Sequence, residues 1–88
     1  MLSITVYTKP ACVQCAATER RLGSTPYAIE DAQSPEAAAL IAELGHMRAP
    51  VVVVRKNDEV VEHWSGFNPD RIERWARAVT GVLVPVAA

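Results

Sequence analysis

Cysteine occurs only twice in this chain, at Cys12 and Cys15, and phenylalanine once, at Phe67. Two cysteines are too few for the disulfide framework of a small secreted domain. A pair this close in a reducing compartment is more often catalytic or metal-binding than structural. Nowhere do apolar residues run to the roughly 20 that a membrane span requires, and the N-terminus lacks the basic-then-apolar layout of a signal peptide, so a cytoplasmic protein is expected. An excess of one charge is missing too. Ten acidic residues interspersed with nine basic ones leave a net charge of −1, which offers no field to attract nucleic acid. Repeats, linkers and low-complexity segments are absent. Half of the 88 residues are hydrophobic, enough for one core and against disorder. One domain over residues 1–81 is expected, with 82–88 an unassigned apolar tail.

What is present centres on Tyr7-Thr8-Lys9-Pro10-Ala11-Cys12-Val13-Gln14-Cys15. Ahead of it Leu2, Ile4 and Val6 alternate with Ser3 and Thr5, the period-2 pattern of a strand with one better-buried face. Behind it Ala16 to Leu22 are good helix formers, with Arg20 and Arg21 in the last turn and Gly23 placed to cap. Cys12 therefore stands where a helix begins. There the free N–H groups and the positive end of the macrodipole favour a thiolate over a thiol. A depressed pKa makes Cys12 the attacking nucleophile. Cys15, one turn further in, is placed to resolve the mixed disulfide that Cys12 forms. Lys9 is either a solvated charge or a modest second positive field, and Gln14 and Thr8 are candidate hydrogen-bond donors to sulfur.

Further along, Tyr27–Asp31 reads as a short strand, and Ser34-Pro35-Glu36 as the capped start of a helix with Ala37, Leu40, Ile41 and Leu44 on one face. Four consecutive valines, Val51–Val54, suggest a central strand covered on both sides, with Pro50 at its start. Lys56-Asn57-Asp58-Glu59 turns into a strand over Val60–Trp64. Asn68 caps a third helix opened by Pro69, with Ile72, Trp75, Ala76 and Val79 as its buried stripe, and Gly81 ends it. The order βαβ then ββα gives a four-stranded mixed sheet flanked by three helices, the thioredoxin-like fold, and a Cys-x-x-Cys beside a βαβ unit is the context that reading needs.

With Tyr7-Thr8-Lys9-Pro10, Cys12-Val13-Gln14-Cys15, Ala49-Pro50-Val51-Val52 and Trp64-Ser65-Gly66-Phe67-Asn68-Pro69-Asp70 in place, the chain resembles the NrdH redoxins, glutaredoxin-like proteins with thioredoxin-like activity. The resemblance spans Met1 to about Trp75. It implies a thiol-disulfide oxidoreductase and hydrogen donor that is reduced by thioredoxin reductase, with NADPH as the indirect source. Electrons would pass to a class Ib ribonucleotide reductase or another disulfide-bearing protein. No bound cofactor besides a Cys12–Cys15 disulfide is implied, no metal, and a monomer is expected. Cys12 matches the family's nucleophile, Cys15 its resolving cysteine, and Pro50 its cis-proline, which would turn the Ala49 backbone toward an incoming chain. Lys9, Pro10 and Gln14 would support the site. Val13, Arg48, Ala49, Trp64, Ser65, Gly66 and Phe67 would dock the partner, with Arg48 selecting acidic segments.

Two positions depart from the pattern: residues 55–62 look longer than the family's tight hairpin, and Asn68 stands where arginine is usual. Ordinary glutaredoxins carry Cys-Pro-Tyr-Cys and a Gly-Gly-x-Asp-Asp stretch for glutathione, and the Trp64–Asp70 segment here favours a protein-docking surface over that tripeptide site. A glutathione-dependent glutaredoxin is thus the first alternative. A second is a metal or iron–sulfur module in which a dimer supplies two cysteine pairs. His46 and His63, the remaining nitrogen donors, fall at no ligand spacing and read as surface histidines. Trp64 and Phe67 have two open readings, core packing or partner docking. Trp75 reads as core, and Glu19, Arg20 and Arg21 as a wet helix face or, as the lesser option, a partner-steering one.

Overall fold

The computed structural model describes residues 1–81. Four strands and three helices alternate along them as β1 (Leu2–Thr8), α1 (Val13–Leu22), β2 (Ala28–Asp31), α2 (Pro35–Glu43), β3 (Val51–Lys56), β4 (Glu59–Ser65) and α3 (Pro69–Thr80). The strands form one sheet in the order β2-β1-β3-β4, with β1 and β2 parallel and the other two pairs antiparallel. This is the thioredoxin-like arrangement. The 82–88 tail lies outside the described residues.

The two faces of the sheet carry separate cores. Ile4, Val6, Val52, Val54 and Trp64 point to the side covered by α1 and α3, where Leu22 and Ile72 close over them with Trp75, Ala76 and Val79. Tyr7, Val51 and Val53 point to the side covered by α2, against Ala37, Leu40, Ile41 and Leu44. Val51–Val54 are buried on both sides, as four valines in a row require. β1 departs from the one-sided strand its alternation predicts, because Thr5 and Tyr7 are buried as well as Ile4 and Val6. The reason is Arg55 on β3, whose guanidinium donates to Thr5 Oγ1 (3.3 Å) and Tyr7 Oη (3.2 Å) and so satisfies the polar atoms that burial would otherwise orphan.

Local chemistry fixes the ends. Ser34 Oγ accepts from the Ala37 N–H and Asn68 Oδ1 from the Arg71 N–H, each with proline at the first helical position. The 55–62 segment is not a long hairpin. Lys56 pairs with Glu59, leaving a two-residue turn of Asn57 and Asp58, both left-handed at φ 53° and 74°. Asn and Asp tolerate that conformation, and two such residues match the twist of the flanking strands. The extra length is taken up as a bulge: Val54 pairs with Glu62 but Arg55 with Val60, so Val61 has no partner.

Candidate functional site

The site is built where β1 hands over to α1. Ala11 turns the chain with a left-handed φ of 55°, which no feature of the sequence signals, and Cys12 follows as the N-cap of α1 in an extended conformation. The Cys12 sulfur accepts from the Cys15 N–H at 3.1 Å, taking the place that a serine or aspartate oxygen usually holds at a helix start. No acid stands in the first turn of α1 to offset the dipole, and Arg20 and Arg21 sit at the opposite end. The two sulfurs form a disulfide with Cα atoms 5.2 Å apart.

The pair is asymmetric. Cys15 is 3 % exposed, whereas Cys12 is half-buried and opens on a shallow depression lined by Thr8, Lys9, Ala11, Val13, Ala16 and Glu19. Lys9, Pro10 and Val13 are exposed, Val13 by 81 %. Lys9 also borders a second cavity of about 250 Å³, walled by Ile41, Ala42, His46, Met47, Arg48 and Ala49. Both depressions therefore share one lysine.

Ala49 and Pro50 are joined by a cis peptide bond, with Pro50 buried and Arg48 exposed. The Pro50 carbonyl accepts from the Gly66 N–H at 2.9 Å. Gln14, between the cysteines, does not aim a donor at sulfur as its position suggests. Its Oε1 instead accepts from the Phe67 N–H at 2.9 Å. Gly66 is left-handed (φ 83°), and a Cβ there would lie 3.1 Å from the same oxygen. Cys12-Val13-Gln14-Cys15, Pro50 and Ser65-Gly66-Phe67 are thus tied into one unit, although they lie far apart in sequence.

Trp64 and Phe67 differ in burial. Trp64 is 4 % exposed within the α1/α3 core, with the Arg71 guanidinium 5.9 Å from its ring centre, so its ring is not available on the surface. Phe67 is 41 % exposed beside the site. Met47, 95 % exposed next to Arg48, joins it as an apolar group at the rim.

The histidines are not independent surface residues. His46 Nε2 and His63 Nδ1 lie 2.7 Å apart, with the rings edge to face. Burial first, and the neighbouring His63 second, hold the His46 pKa below the usual histidine value. Among the described residues no group of three or more His, Cys, Asp or Glu side chains converges as a metal site, and no helix is long and apolar enough to cross a membrane.

No family model matches the chain. Among curated proteins it is similar to the glutaredoxin-like protein NrdH of Salmonella typhimurium, with 38 % identity over 76 residues that cover 83 % of this chain and 88 % of that one. The glutaredoxin-like protein NrdH of Escherichia coli matches at 37 % over the same shares. Among solved structures, the NrdH-redoxin of Escherichia coli, described as having a thioredoxin-like activity profile, superposes with a TM-score of 0.68 at 34 % identity, covering 97 % of this chain and 99 % of its own. Thioredoxin of Fasciola hepatica superposes at 0.69 with 19 % identity over 89 % and 80 % of the two chains, a likeness of fold alone.

Proposed function

The chain belongs to the glutaredoxin-like NrdH proteins, thiol-disulfide oxidoreductases, and from that premise we propose that Cys12 attacks the disulfide of a protein substrate and Cys15 completes the exchange. One observation carries the assignment: the Cys12 sulfur is the N-cap of α1, 3.1 Å from the Cys15 N–H, while Cys15 is buried. In the reduced protein the same N–H and the uncompensated helix end favour the Cys12 thiolate over the thiol. That thiolate bonds to one substrate sulfur and expels the other as a thiolate, giving a mixed disulfide. The Cys15 sulfur, once deprotonated, then bonds to Cys12 and expels the remaining substrate sulfur. Two electrons have passed to the substrate, and the Cys12–Cys15 disulfide is left to be reduced.

The reductant in this reading is thioredoxin reductase, drawing on NADPH, and the acceptor is a class Ib ribonucleotide reductase or another disulfide-bearing protein of the cytoplasm. In this reading Val13, Met47, Arg48, Ala49 and Phe67 form the docking surface; Val13, Met47, Arg48 and Phe67 are exposed, apolar groups with a guanidinium among them, which suits a protein chain carrying acidic and apolar residues. The Trp64–Asp70 segment, with Trp64 committed to the core and Gly66–Phe67 held by Gln14, supports protein docking over glutathione binding.

Coupled assays test the reading. NADPH oxidation is expected with thioredoxin reductase, this protein and a protein disulfide. Turnover only with glutathione and glutathione reductase would reassign it to the glutathione-dependent glutaredoxins.

A further inference from the structure

We propose that His46 and His63 are a positioning pair for the exchange reaction, holding the Met47–Ala49 segment in its docking conformation until both rings become protonated. The inference rests on the docking role given to Arg48 and Ala49 above. The 46–50 segment is tied to the β4 side of the sheet at both ends. At its far end the Pro50 carbonyl accepts from Gly66 just beyond β4. At its near end the His46 ring meets the His63 ring, carried on β4 opposite Val53. The His46 backbone N–H also closes the end of α2 on the Ile41 carbonyl at 3.0 Å, so the residue's backbone is anchored to the helix while its ring meets the strand. Between the two ties Met47 and Arg48 project into solvent, and Arg48 and Ala49 line the cavity that His46 also walls.

A hydrogen bond between two imidazoles needs one donor and one acceptor nitrogen. Two neutral rings supply that, and so does a pair carrying one added proton. A second proton leaves two donors and two like charges face to face, and the tie breaks. Charged groups of both signs stand around the pair. The Glu62 carboxylate on β4 accepts from the His63 backbone N–H, and Glu43 stands in the last turn of α2. Against them Arg71 on α3 reaches the His63 carbonyl at 3.4 Å, and Lys9 and Arg48 share the cavity with His46. β3 contributes the apolar Val51 and Val53 to this face, and further along it Arg55, whose guanidinium is engaged by Thr5 and Tyr7. The tie therefore holds while at most one ring is charged and is lost once both are.

The test compares two disulfides that release the same coloured thiol from the reduced protein: dithiobis-nitrobenzoate, too small to use the segment, and an extended peptide whose cysteine is blocked with the same nitroaryl thiol. The ratio of the two rate constants cancels the ionisation of Cys12. In the wild type the peptide-to-small ratio should hold from about pH 7.5 to about pH 6.5, where at most one ring is charged, and fall several-fold by about pH 5, below the ordinary histidine pKa. His63→Phe should show the low ratio at every pH. His46→Gln, whose amide keeps a donor at the same place but does not titrate, should hold the high ratio throughout. A pH-independent wild-type ratio, an unaltered ratio in His63→Phe, or a His46→Gln ratio that falls like the wild type would each overturn the proposal. His46→Gln decides alone should His63→Phe fail to fold. Failure of the underlying function looks different: neither disulfide would be attacked, rather than both at an unchanging ratio.

Discussion

The amide oxygen of Gln14 lies 2.9 Å from the backbone nitrogen of Phe67, a bond across 53 residues that joins the stretch between the cysteines to the segment that follows β4. Gly66→Ala should cost about 1–2 kcal/mol from the left-handed backbone alone. The new methyl would also press on the Gln14 oxygen. Adding Gln14→Ala to that variant should recover the steric part and leave the backbone part. Thermal or urea unfolding of the two single variants and the double variant reads the coupling.

Substitution of either cysteine separates their roles. Cys12→Ser should lose all exchange with disulfides. Cys15→Ser should keep the first step and accumulate mixed disulfides with its substrates. In the reduced protein an alkylating reagent near neutral pH should label Cys12 well before Cys15, which is 3 % exposed. Equal labelling rates would contradict the assignment.

Trp64 and Phe67 should respond in opposite ways. Truncating a buried aromatic costs about 3–5 kcal/mol, so Trp64→Ala should lower the unfolding midpoint severely. Phe67→Ala, at an exposed position, should change stability by less than about 0.5 kcal/mol yet raise KM for protein disulfides. Steady-state kinetics beside calorimetry checks both.

Stability should fall at both pH extremes for identifiable reasons. His46 binds its proton less readily in the fold than in the unfolded chain, because of burial and then His63. The unfolded state thus takes up more protons, and this contribution, complete above the unfolded value of about 6.5, is lost as pH falls below it. Tyr27 is the reverse: burial, and then Glu19, raise its pKa, so the folded state keeps the proton longer and stability declines as pH rises past the unfolded value of about 10. Urea midpoints across pH should show both slopes, with the acid one reduced in His46→Gln and the alkaline one in Tyr27→Phe.

Features set by near neighbours were legible in the chain. The caps at Ser34 and Asn68, the stripe of α3 and the burial of Cys15 beneath Cys12 each follow from spacings of three or four residues, and each is found. Contacts that only the fold creates were not. Thr5 looks like the less buried side of a strand until Arg55, 50 residues later, arrives to bond it together with Tyr7. His46 and His63 meet because α2 ends beside β4, and Gln14 turns from sulfur because Phe67 offers an N–H. The length of 55–62 misled because a bulged strand and an inserted loop have the same residue count.

The burial of Cys15 leaves a single doorway. With the role proposed for Cys12, whatever delivers electrons and whatever takes them must approach that one atom over the same patch of surface, so the two visitors exclude one another. The molecule can only alternate between them, and a surplus of either should slow the traffic of the other.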